Sequence, residues 1–183
     1  MRFLLFSLSL LFVFLTPVRD QSKLAKAPAE GLKLGDPMAD FSESVYLLTG
    51  DEDLYRQYDF MREALLKNIN NGIREGIYVG ETTDLIEDKK ATKLSLFFYK
   101  EELYKVRWLF IKNDYPDIES LTQSLDQFLE NKYGSPTEVI PIGPYELKTW
   151  KDTPYYLQSM GDEEEYQIEY RNELVHQKVE ALE

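Results

Sequence analysis

Carboxylates are the side chains most able to do chemistry in this chain. They fall in three groups: Asp51-Glu52-Asp53, the pair Glu101 and Glu102, and the run Asp162-Glu163-Glu164-Glu165. Two carboxyl groups brought close in space can hydrolyse a glycosidic bond, one as acid and the other as base or nucleophile. Clustered carboxylates can also hold calcium, but neither Asp51–Asp53 nor Asp162–Glu165 has the alternating ligands and central glycine of an EF-hand loop. The ordinary explanation covers all three groups, because turns and helix starts favour acidic residues. A carboxylate-based hydrolase is therefore an alternative expectation rather than the leading one.

Other chemistries lack their parts. The chain has no cysteine and a single histidine, His176. Thiolate nucleophiles, disulfides and thiolate metal sites are excluded, and a zinc site with three or four protein ligands is not expected. No nucleophile elbow, phosphate-binding glycine loop, dinucleotide fingerprint or H-E-x-x-H pair occurs. No cofactor is expected from these residues.

Aromatic residues form the second candidate set. Tyr145, Trp150, Tyr155 and Tyr156 flank Pro144 and Pro154 in a strand-rich region. Tyr155 and Tyr156 are adjacent, so on a strand they point to opposite faces and one stands outside the core. An exposed ring there would anchor a protein partner or stack on a sugar.

The elements that must position these residues centre on Lys93 to Pro136. Lys93–Tyr99 is short, apolar and aromatic. After Lys100-Glu101-Glu102 the chain resumes with Tyr104, Val106, Trp108 and Phe110 alternating with Lys105 and Arg107. Such alternation on both sides of a polar interruption predicts an antiparallel hairpin with one face on the core. A helix from Asp117 to Lys132 follows, with Ile118, Leu121, Leu125, Phe128 and Leu129 as its apolar stripe. Gly134 and Pro136 stop it.

Upstream, Asp36-Pro37 predicts the start of a first helix carrying Met38, Phe41, Val45 and Leu48. Thr49 to Glu52 fits a capping box for a second, running to Asn70 through Leu54, Tyr58, Met61, Leu65 and Ile69. Ile77–Val79 reads as a short strand and Glu81–Lys90 as a polar loop. Downstream, Val139–Tyr145 reads as loop or edge. Tyr145–Trp150, Tyr155–Met160 and Glu165–Arg171 read as strands, and Asn172 caps a last short helix. The expectation is an α+β fold: two N-terminal helices, a mostly antiparallel sheet of about five or six strands with a helix on one face, and a short C-terminal helix.

Met1-Arg2 followed by the uncharged run Phe3–Leu15 matches a secretory leader, taken as residues 1–18. The run reaches roughly 20 Å as a helix, short of the ~30 Å bilayer core, so no membrane span is expected after its removal. Ala25-Lys26-Ala27 and Ala27-Pro28-Ala29 offer better small-x-small cleavage patterns further on. Residues 19–30 read as an exposed spacer and 31–183 as one domain. Leader and missing cysteine together point to export, into a bacterial periplasm or outside the cell.

The formal charge of −12 argues against nucleic acid as a partner, because phosphate backbones are repelled. It favours solubility first and a cationic partner second. Gly31–Pro37, the Phe-rich hairpin and Tyr133-Gly134-Ser135-Pro136 are loosely similar to phrases in small bacterial envelope domains of the outer-membrane-assembly lipoprotein type. The element order differs and the lipid-attachment cysteine is missing, so no residue role follows. The leading expectation is an exported, non-catalytic domain that binds a protein or glycan of the envelope or extracellular space. Its candidate contacts are Trp150, Tyr155 and Tyr156. The alternative is a binder or inhibitor of a cationic, lysozyme-like protein, acting through Glu101, Glu102, Asp162 and Glu163.

Overall fold

The hairpin at the centre of the sequence is also the centre of the fold. The computed structural model describes residues 22–48, 59–80 and 84–182. Within it, β5 (Lys93–Tyr99) and β6 (Glu102–Ile111) pair antiparallel around a turn in which Lys100 and Glu101 have φ of 52° and 67°. To one side lie β2 (Ile73–Tyr78) and β1 (Val45–Leu47). To the other lie β10 (Glu165–Asn172), β9 (Tyr155–Gly161), β8 (Tyr145–Asp152) and β7 (Glu138–Ile142). The order β1-β2-β5-β6-β10-β9-β8-β7 makes one antiparallel sheet of eight strands among the described residues. A separate hairpin, β3 (Leu85–Ile86) with β4 (Lys89–Lys90), sits before β5.

Three α-helices are described: α1 (Asp59–Asn70), α2 (Ile118–Tyr133) and α3 (Glu173–Glu180). The α2 stripe behaves as its spacing requires: Ile118, Leu121, Leu125 and Leu129 are buried. They close over Leu94, Leu96, Val106, Trp108, Phe110 and Ile168 on one face of the sheet. Asp117 caps α2 by accepting from the Ser120 amide, and Gly134 takes a φ of 90° at its end. Asn172 caps α3 by accepting from the Val175 amide. On the opposite sheet face, Val175 and Val179 of α3 pack against Ile73, Phe97 and Tyr104. The fold is α+β, with helices on both faces rather than one.

Several expectations need correction. The segment after Asp36-Pro37 is not a helix. It makes a single 3-10 turn, Met38–Phe41, and then strand β1. The stripe Met38, Phe41, Val45 fits either form, and the unpaired edge of β2 decides for a strand by offering hydrogen bonds to Val45-Tyr46-Leu47. The capping box at Thr49 to Glu52, with Asp51–Asp53, Leu54 and Tyr58, lies outside the described residues. The sheet has more strands than expected, because β1, the longer β2 and the edge strand β7 all join it. The polar loop before β5 contains the β3–β4 hairpin and the fully buried Ile86.

The described part of the spacer is exposed at Lys23, Ala25, Lys26 and Glu30 but buried at Leu24 and Ala27–Ala29. Leu24, Ala27 and Ala29 are 5–6% exposed. Tyr170 donates to the Leu24 carbonyl at 2.6 Å, and Tyr133 to the Lys26 carbonyl at 2.8 Å. The Lys132 ammonium donates to the Ala27 and Pro28 carbonyls at 2.9 and 3.0 Å. The small side chains of this segment let it lie against α2 and the sheet.

Tyr104 is also displaced from its expected face. The β5–β6 register shifts between Phe97 and Phe98, where Phe97 pairs with Lys105 but Phe98 with Leu103. Tyr104 is the extra residue of this bulge, and it turns to the α3 side while Val106, Trp108 and Phe110 keep the α2 side.

An acidic groove as candidate functional site

A groove of about 960 Å3 runs between α2 and the end of the sheet formed by the β7–β8 and β9–β10 turns. Glu119, Gln123, Asp126 and Glu130 face it because their spacing of three to four residues keeps them on one side of α2, next to the buried stripe. Pro144, Tyr145 and Glu146 enter from the β7–β8 turn, and Asp162 and Glu163 from the β9–β10 turn. Among the described residues Lys112 and Lys148 are its only cations, against the carboxylates of Glu119, Asp126, Glu130, Glu146, Asp162 and Glu163. The groove thus carries four more negative than positive charges.

Its floor is a hydrogen-bonded network. Lys148, half-buried on β8, places its Nζ 2.9 Å from Asp126 Oδ2, 3.1 Å from Glu130 Oε1 and 3.9 Å from Glu146 Oε2. The other Asp126 oxygen accepts from Ser159 Oγ at 3.0 Å and from the Tyr166 hydroxyl. Burial pulls the Lys148 pKa down, but Asp126 and Glu130 more than offset this and leave it raised. Tyr166 is pushed up by burial and by the Asp126 charge beside it, so its phenol remains a proton donor to that carboxylate. At the rim, desolvation and the nearby Glu163 charge raise the Tyr145 pKa. Asp162 shapes its own turn, accepting from the Glu164 and Glu165 amides at 2.8 and 2.9 Å.

The residues expected from sequence divide. Asp162 and Glu163 belong to the groove. Glu101 and Glu102 sit exposed at the opposite end of β6, roughly 30 Å away at the usual rise per strand residue. The Glu101 carbonyl serves the fold there, accepting from the Met38 amide at 2.7 Å. Trp150 is 2% exposed and donates from Nε1 to the Gly134 carbonyl at 2.7 Å, so it is a core residue and not a contact surface. Tyr155 is half-buried and stacks on Tyr170, with centroids 6.3 Å apart and planes 7° from parallel.

Tyr156 points to the other face, as adjacency requires. Its ring lies 4.0 Å below the Arg171 guanidinium, and its hydroxyl donates to Gln158. The three aromatic candidates therefore do not make one surface. Sequence reading passed over Asp126, Glu130, Lys148 and Tyr166. The i, i+4 spacing of Asp126 and Glu130 beside the α2 stripe was the available signal.

Among the described residues no group of three or more histidines and carboxylates is arranged to hold a metal ion. No described helix is long and apolar enough to cross a membrane. Compared with known proteins, the chain matches no family model, no curated sequence and no solved structure.

Proposed function

We propose that the chain is an exported, non-catalytic binding domain, and that the acidic groove is where it takes a cationic segment of another protein. The observation that carries this reading is the gathering of six carboxylates from α2 and two sheet turns around one open groove with two lysines. Electrostatic complementarity of this kind steers a basic partner and makes its capture salt-sensitive. The geometry favours this over the aromatic surface, because Trp150 is enclosed and Tyr155 and Tyr156 face opposite ways.

The test is a calorimetric titration with a Lys/Arg-rich peptide and a Glu-rich peptide of equal length, at about 50 and 500 mM salt. The basic peptide binds at low salt and weakens at high salt, and the acidic peptide does not bind. Changing Glu146 and Glu163 to Gln weakens the basic peptide about tenfold. Equal affinity for both peptides, or an affinity indifferent to salt, overturns the reading.

A second reading has one observation behind it: Asp126 and Glu130 both lie within 3.1 Å of the same ammonium, close enough for a hydrolytic pair. Hydrolysis needs one of the two protonated. The oxygens such a pair would use are already engaged by Lys148, Ser159 and Tyr166, which favours the binding reading. Cleavage of a chromogenic glycoside by the protein, lost in both Asp126→Asn and Glu130→Gln, would reverse this preference.

A further inference from the structure

The sheet face opposite the groove carries a second electrostatic cluster, in which Lys105, Arg107 and Arg171 meet Glu169 and Glu173. Lys105 and Arg107 are two residues apart on β6 and converge on one ring. The Lys105 Nζ lies 4.1 Å and the Arg107 guanidinium carbon 5.3 Å from the centroid of Phe97, itself 8% exposed. Across the β6–β10 pairing, Lys105 stands directly opposite Arg171 and Arg107 directly opposite Glu169. A like-charge pair facing across a ladder is unfavourable.

The carboxylates nearby are committed elsewhere. Glu169 gives one oxygen to Arg171 Nη1 at 2.6 Å and the other to Arg107 Nε and Nη2 at 3.3 and 2.9 Å. Glu173 takes Arg171 Nε at 2.8 Å. Lys105 makes no hydrogen bond or ion pair with any described residue. Burial first, then Arg107 and Arg171, depress its pKa, against the through-space pull of Glu169 and Glu75. Arg107 Nη1 is likewise unused, and its side chain is 37% exposed, so solvent reaches it. Beside them α3 places His176, 9% exposed, with its ring 6.3 Å from the Tyr104 ring and its buried Nδ1 without a partner.

An ammonium with no hydrogen-bonded acceptor among the described residues and a guanidinium edge still free both suit the same thing: an acceptor oxygen from outside the chain. We propose that Lys105 and Arg107, held over the Phe97 ring beside α3, form a binding site for an oxyanion, a carboxylate or phosphate group. The site is independent of the acidic groove and lies on the other face of the sheet. Lys105 supplies a point charge, and Arg107 a directional edge already oriented by Glu169.

The test uses sulfate, an oxyanion whose charge is constant across the working pH, titrated against chloride at fixed ionic strength. His176 is the only histidine, so its imidazole NMR signals are unique in the spectrum. An anion at Lys105 offsets the cations that disfavour imidazolium, so His176 moves upward in pKa, saturably, with sulfate and not with chloride. Lys105→Met weakens this response at least about tenfold. In sulfate-free buffer the same variant is no less stable than the parent, because burial and the neighbouring Arg107 and Arg171 outweigh the pull of Glu169 and Glu75 on this ammonium. Sulfate and chloride giving the same response, or an unchanged response in Lys105→Met, overturns the proposal. A Lys105→Met variant strongly destabilised without sulfate overturns it too, because Lys105 would then be a structural cation.

Discussion

Asp126 shows how one side chain can hold two parts of the fold together. It sits on α2, yet it accepts from Lys148 on β8, Ser159 on β9 and Tyr166 on β10. Asp126→Ala leaves the buried Tyr166 phenol without its acceptor and the Lys148 ammonium with Glu130 alone at close range, and should cost about 2–4 kcal/mol in urea unfolding. Glu163→Gln changes only an exposed rim charge and should stay within about 0.5 kcal/mol of the parent. If the two substitutions cost the same, the network is not structural. Trp150→Phe removes the Nε1 donor to Gly134 and some buried area, so a loss of about 1–3 kcal/mol is expected with peptide affinity unchanged. Weaker peptide binding by a folded Trp150→Phe protein would restore the tryptophan to the contact surface.

At the scale of elements, α3 carries a pH dependence. Burial first, then Arg171 and Lys105, lower the His176 pKa from 6.5, against smaller opposing effects of Glu180 and Glu169. A group depressed in the folded state contributes fully above its unfolded value and loses that contribution as pH falls below it. Stability should therefore decline from about pH 6.5 downward, before Glu169, itself lowered from 4.5 by Lys105, Arg107 and Arg171 against burial, begins to protonate. Urea midpoints of the parent should fall between about pH 7.5 and 5.5, while His176→Gln should hold nearly level over that window. A parallel decline in both proteins would place the titration elsewhere.

The N-terminal segment is testable at the same scale. Burial of Leu24 and the hydrogen bonds accepted by the Leu24 and Lys26 carbonyls should make a chain starting at residue 31 about 3–5 kcal/mol less stable than one starting at residue 22. Equal midpoints would return residues 22–30 to the role of a spacer. Strand β1 is held as closely: a Cβ on Gly76 would lie 2.3 Å from Val45 Cγ1 and 3.2 Å from the Tyr46 carbonyl. Gly76→Ala should detach or displace that edge at a cost of about 1–3 kcal/mol.

At the scale of the whole molecule, the sheet joins two runs of consecutive strands through the β6–β10 pairing, with α2 crossing between them. That closure brings the start of β10, the end of β9 and the α2 face to one place, and the groove is the space left among them. What the sequence by itself determined was local. Alternation specified β5, β6, β8, β9 and β10, the apolar stripe specified α2, and Asp117, Gly134 and Asn172 marked helix ends, because period and capping are properties of neighbouring residues. The adjacency of Tyr155 and Tyr156 was enough to send them to opposite faces.

Tertiary structure decided the rest, since it depends on partners distant in the chain. The edge of β2 turned a helix-like stripe into β1, and a bulge moved Tyr104 to the α3 face. The surfaces of α2 and the sheet turned an alanine-rich spacer into core, and the enclosure of Trp150 took a candidate contact away. Asp162 and Glu163 became part of a groove while Glu101 and Glu102 did not, although both pairs read alike as acidic turns. Strand pairing carries one turn to the side of α2 and the other to the far end of the same sheet, and electrostatic potential follows distance in space rather than in sequence.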